Sequence, residues 1–197
     1  MKHILLTTIA TGLLVGSILG NERNKLRVGA SSVNLKADGQ MVLAGYIQSR
    51  YSENQEGELR VTAVLFEKPG ISKVAIVSCD VLWVPRHIVD TALVEIEKKT
   101  GISQNNILVN ATHTHHAPST APAHDFGVSE PWCAQVKMGI IRAVVDANKK
   151  LKEGECEFYF HLGEEKTIGA NSRLLLPDGI VTWINPRRES AGKGKPT

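Results

Sequence analysis

The chain is poor in cysteine. Only three occur in its 197 residues, Cys79, Cys133 and Cys156, and none forms a C-x-x-C pair. A cysteine-based zinc site is therefore not expected. No H-E-x-x-H is present, which excludes a helical zincin. The net charge is only +3, and no dense Lys/Arg stripe occurs, so nothing in the sequence supports nucleic-acid binding. Internal repeats and low-complexity segments are also lacking. The N-terminal run of apolar or small residues, 4–19, is shorter than the roughly 20 residues a spanning helix needs.

That run follows a short basic start, Met1-Lys2-His3, and gives way to Gly20-Asn21-Glu22-Arg23. Length and flanks predict a secretory signal peptide over residues 1–20, the alternative being a retained anchor. The expected location is then periplasmic or extracellular. The chain as a whole, with 42% hydrophobic and 22% charged residues, has the composition of a soluble globular protein, and residues 21–197 are expected to form one domain. Export permits disulfides. The sequence leaves open whether Cys133 pairs with Cys156. Cys79 ends an apolar run and reads as a buried free thiol.

Hydrophobic patterning gives the organisation. Residues 26–30 read as a first strand. Residues 59–66 alternate and read as another, followed by a turn at Lys68-Pro69-Gly70. Residues 73–84 are nearly continuously apolar, which predicts a central strand buried on both faces. Pro85 opens a helix that Gly101 stops. Residues 106–110 form the next strand, residues 130–151 a second helix, and residues 155–162 a further strand. A hairpin is expected over residues 168–184, turning at Pro177-Asp178-Gly179. The tail from Asn185 has the composition of a loop. This order predicts an α/β fold: a mixed sheet with flanking helices.

Such sheets place their sites in the loops after the strands' C-terminal ends. One of these loops is Asn110-Ala111-Thr112-His113-Thr114-His115-His116-Ala117-Pro118, with three of the seven histidines in four residues. In extended backbone His113 and His115 share one face and His116 takes the other. Neutral imidazole is a common zinc ligand, and convergent imidazoles are what a hydrolytic metal site requires. The bland reading is a polar loop, but the density of histidine favours a site. Asp80 reads either as a supporting carboxylate or as a cap of the turn it begins. His124, His161 and His87 read as solvated or packed. Arg173 reads as an anion or carbonyl ligand or as a surface charge.

The same segment resembles the Ala-Thr-His-Thr-His-Ser-Gly-Pro motif of the neutral/alkaline, non-lysosomal ceramidase family. Further segments follow in that family's order: residues 28–33, Gly45-Tyr46, residues 57–63, residues 77–80, residues 168–173 and Asn185-Pro186. The resemblance runs over most of residues 27–187, and its specific part is the Thr-His-Thr-His core. It implies a zinc-dependent amidase acting on the N-acyl bond of ceramide. It implies that His113 is a zinc ligand, that His115 lines the pocket beside the reacting amide, and that Arg173 contributes to the site, although Ser172 separates it from Asn171. His116-Ala117 departs from the Ser-Gly of the motif and alters the pocket wall.

The family's other metal ligands and its nucleophile lie beyond the matching region. The resemblance therefore implies an incomplete, N-terminal portion of a catalytic domain. The expected partner is a small-molecule or lipid amide, with membrane-surface association through that substrate. The isolated chain is expected to be inactive. Two other readings remain: a non-catalytic exported lipid- or glycan-binding domain on the same scaffold, and an unrelated metal-dependent amidohydrolase.

Overall fold

The computed structural model describes residues 26–153, 156, 158–164, 173–175, 179–183 and 195–196. The expected signal segment, the turn residues Pro177-Asp178 and the Asn185-Pro186 segment lie outside the described residues. The chain divides into two compact units, residues 1–157 and 158–197.

In the first unit β1 (Arg27–Leu35), β4 (Leu59–Lys68) and β5 (Ser72–Cys79) form an antiparallel meander. A short pair, β2 (Val42–Leu43) and β3 (Arg50–Tyr51), interrupts it between β1 and β4. After β5 the chain forms helix α1 (Arg86–Thr100), a 3-10 turn and strand β6 (Ile107–Ala111). β6 lies parallel to β5, with Cys79 opposite Ala111. Helix α2 (Glu130–Lys149) leads to β7 (Lys152–Glu153), which pairs with the start of β1. The sheet order is β6-β5-β4-β1-β7, a mixed sheet with two flanking helices, as the sequence predicts.

Both helices begin, and α1 also ends, where the sequence places punctuation. Pro85 caps α1 in extended conformation, and Gly101 ends it at φ 70°, with its N–H bonded to the Glu97 carbonyl. Pro131 sits in the first turn of α2, where a missing N–H costs nothing. Each helix buries one stripe: Ile88, Ala92 and Ile96 from α1; Trp132, Val136, Ile140 and Val144, among others, from α2. These meet Val61, Ala63, Leu65, Ala75, Val77 and Cys79 from one face of the sheet. Gly139 lets α2 lie close to β4, since a Cβ there would stand 3.0 Å from Val61 Cγ2.

β5 departs from expectation. It ends at Cys79, and only alternate residues are buried: Ala75, Val77 and Cys79 are sealed, while Val74 and Ile76 are 39% and 41% exposed. Leu108 on β6 is 58% exposed on an edge strand. Both helices cover the same face of the sheet, so a continuous apolar run is buried on one side only among the described residues. A one-dimensional pattern does not tell which faces the neighbours cover.

β1 is longer than its apolar start suggested. The polar stretch Ser31-Ser32-Val33-Asn34 pairs with β4 across its whole length. Of the strand expected over residues 155–162, the described residues 156 and 158–162 lie in no strand. Of these, Phe158, Tyr159, Phe160 and Leu162 are exposed and outside any strand, although they alternate in sequence. Alternation supplies a face, but a strand also needs ladder pairing, which a one-dimensional pattern does not specify.

In the second unit the expected hairpin is present. β8 (Arg173–Leu175) pairs antiparallel with β9 (Val181–Trp183), and Gly179 near the turn has φ 83°. The tail departs from a pure loop: β10 (Lys195–Pro196) adds to β8.

Candidate metal and hydrolytic site

The parallel register of β5 and β6 brings the two strand ends together. Beyond them the pairing continues irregularly. The Thr112 N–H donates to the Cys79 carbonyl at 2.9 Å, and the Thr114 N–H to the Val81 carbonyl at 3.2 Å. Asp80 ties three strands. Its carboxylate accepts the Arg60 N–H at 2.9 Å and the Thr112 hydroxyl at 3.3 Å, while its own N–H donates to the Arg60 carbonyl. These bonds run to β4 and to Thr112, the residue before His113, rather than to the turn that follows Asp80.

His113 and His115 lie together, with ring centroids 5.0 Å apart and planes at 77°. The extended alternation expected for them is not how this happens. His113 has φ 61°, in the left-handed region that non-glycine residues visit rarely. The chain turns there, and each ring is aimed by a main-chain carbonyl. His113 Nδ1 stands 2.9 Å from the Leu82 oxygen, and His115 Nδ1 3.0 Å from the Gly45 oxygen. A carbonyl only accepts, so in each pair the Nδ1–H is the donor. In the neutral ring the Nε2 lone pair is then left for something else.

These carbonyls belong to a small second core. Val42, Ala44, Leu82 and Phe126 are buried together, with Trp83 and Ala123 packed against them. Trp83 and Phe126 stack at 6.3 Å. The loop of Ala44 is tied to the histidine loop by the Ala44 N–H on the Ala117 carbonyl, 3.0 Å, and the Ser119 N–H on the Val42 carbonyl, 2.8 Å. The Thr120 hydroxyl donates to the Trp83 carbonyl at 2.6 Å. The anchor Leu82 lies inside this cluster, and the anchor Gly45 directly follows Ala44. Sequence reading missed both anchors. The only signal was Gly45 itself, whose φ of 89° suits glycine.

His116 turns to another neighbour. Its Nδ1 is 3.4 Å from the Tyr46 hydroxyl, the rings meet edge-on at 6.1 Å, and the Arg50 guanidinium lies 4.4 Å over the Tyr46 ring. Thr114 and His116 line a cleft of about 990 Å³ whose wall also carries Asp38, Glu53 and Glu56. His124 is exposed at φ 48°, beside Phe126. His87 and His161 are exposed. Arg173 lies on β8 of the second unit, so its expected place in the site stays an expectation.

The three thiols are free. Cys133 is buried on α2 with its Sγ 3.6 Å from the Thr120 carbonyl, while Cys156 is exposed, so the pairing left open by the sequence is not made. Burial, reinforced by the charge of Asp80, pushes the Cys79 thiol up to about 12. Burial likewise raises Cys133, with Glu130 adding to it. Neither thiol is a nucleophile near neutral pH. Among the described residues no group of three or more His, Cys, Asp or Glu side chains is placed to hold a metal ion.

Two solved structures carry the same arrangement of elements. One is neutral ceramidase from Pseudomonas aeruginosa, at 18% identity and a TM-score of 0.61. The other is a ceramidase complexed with C2, at 19% identity and a TM-score of 0.60. The fold is ceramidase-like. In both comparisons the match covers 66% of this chain and 22% of the other, so the chain spans under a quarter of those proteins' length. At such identities the likeness is one of fold. No family model matches the chain, and no curated protein matches it.

Proposed function

We propose that the chain is the N-terminal portion of an exported, zinc-dependent amidase of the ceramidase type, acting on a lipid or small-molecule amide. The observation that carries this reading is the His113–His115 pair: two imidazoles 5.0 Å apart, each with Nδ1 on a main-chain carbonyl. Carbonyl-anchored Nδ1 is the usual setting of a metal-ligating histidine, because it fixes the tautomer and raises the basicity of Nε2. His113 has the further mark of a left-handed backbone, a strained conformation of the kind that clusters at functional sites. The ceramidase-like fold agrees with the reading.

In this proposal His113 offers Nε2 to zinc, and His115 stands beside the reacting amide. Bound zinc would supply Lewis acidity and a water acidic enough to be hydroxide near neutrality. His115 then bonds to the developing oxyanion or moves a proton. His113 fits as part of the donor set, but one imidazole falls short of the three protein ligands a catalytic zinc takes. The remaining ligands would be residues other than those described. Arg173 is proposed to join the site through substrate oxygen. The chain alone is expected to bind zinc weakly and to leave amides intact.

The test is zinc competition against a chromophoric chelator. His113→Asn keeps a residue that tolerates the left-handed backbone, so the fold is expected to persist. Zinc affinity is expected to fall at least about tenfold, the scale on which a zinc site responds to altered ligation. Equal affinity in the variant and the parent would refute His113 as a ligand. Amide hydrolysis by the purified chain would refute the expectation that it is incomplete as a catalyst.

A further inference from the structure

We propose that Gly45 is a positioning residue for His115. Its carbonyl holds the Nδ1 proton, and its missing side chain makes room for the ring, so that neutral His115 presents Nε2 as a proton acceptor. Two independent observations meet at this residue. The Gly45 oxygen is 3.0 Å from His115 Nδ1. A Cβ at position 45 would stand 2.5 Å from the same Nδ1, 2.6 Å from Cγ and 2.7 Å from Cβ of His115, closer than real Cβ atoms approach their neighbours. The backbone adds a third constraint, since φ of 89° at Gly45 is a conformation that side-chain-bearing residues rarely adopt. Any substitution therefore both strains the loop and expels the ring.

The consequence is chemical. A neutral imidazole carries one N–H. With that proton committed to the Gly45 carbonyl, Nε2 has only a lone pair. Neutral His115 then cannot donate a hydrogen bond to an oxyanion from Nε2; it can accept a proton there and return it later. Of the two roles left open above for His115, proton transfer is thus selected over direct oxyanion donation by the neutral ring. The Ala44–Ala117 and Ser119–Val42 main-chain bonds hold the two loops in register, so the Gly45 carbonyl stays opposite the ring.

The assignment of a role to His115 rests on the amidase reading, but the tautomer and its dependence on Gly45 do not. The experiment is two-bond 1H–15N correlation NMR of the histidine rings on the full chain, without added metal, at a pH where the rings are neutral. Wild type is expected to show His115 protonated at Nδ1 with a bare Nε2. Gly45→Ala is expected to lose that pattern at His115 and to keep the Nδ1–H pattern at His113. A wild-type His115 protonated at Nε2 overturns the proposal whether or not the variant folds. A folded Gly45→Ala protein with an unchanged His115 pattern overturns it as well. Neither result bears on whether zinc binds at His113, which the chelator competition reads separately.

Discussion

The first unit has two cores, and they differ in kind. The large one runs the length of the sheet and is sealed by stripes from both helices. The small one holds four buried residues, Val42, Ala44, Leu82 and Phe126, drawn from loops and one two-residue strand. The large core gives the fold its stability. The small core aims the two imidazoles, because one anchor carbonyl belongs to Leu82 and the other to the residue after Ala44. A site hung on the smaller core can be disturbed without unfolding the larger.

The strongest blow to this contrast is struck in the large core. Trp132, near the start of α2, is fully buried, and Trp132→Ala is expected to cost about 4–5 kcal/mol, read as a lowered midpoint in urea. Native molecules of that variant should keep the His113 and His115 ring signals of the parent. Phe126→Ala should cost less, about 3 kcal/mol, yet shift both ring signals, because it removes the centre of the small core. Equal disturbance of the rings by the two variants would erase the division.

The alkaline limb gives the next effect. The Cys79 thiol stands at about 12 in the folded chain against an ordinary 9.0. Between these values the unfolded chain has lost the proton and the folded chain still holds it. Unfolding free energy should therefore fall as pH rises from 9.0 toward 12, with full stability below 9.0. Cys79→Ser, measured over that window, should flatten the decline. Thiol alkylation in the folded state should label the exposed Cys156 and spare Cys79 and Cys133.

The smallest effect is at the join between the two cores. Thr112→Val removes the hydroxyl that Asp80 accepts at 3.3 Å and is expected to cost about 1 kcal/mol, read by urea unfolding. A cost near zero would mean that Asp80 is held by the Arg60 N–H alone.

Much of the large core was legible in the sequence. The stripe through Ile88, Ala92 and Ile96 and its stop at Gly101 have a period and an end signal that local physics writes directly. The alternation of β4 and the hairpin turn into β5 are equally local. The polar half of β1 was not legible, because Ser31, Ser32 and Asn34 become strand only by pairing with β4. The alternating residues 158–162 illustrate the converse: a strand-like pattern with no strand.

For the site, the sequence alone determined which residues are dense enough to matter. Three histidines after a strand are visible in one dimension, and so is the helix–strand order that sets them at a sheet's end. Only the tertiary structure decided how they are used. The left-handed turn at His113, the carbonyls of Leu82 and Gly45 and the diversion of His116 to Tyr46 depend on residues about 30 to 70 positions away. A hydrogen bond to a main-chain carbonyl leaves no trace in side-chain identity, since every residue carries that carbonyl. Gly45 is the exception, because there the approach of the ring forbids any side chain at all.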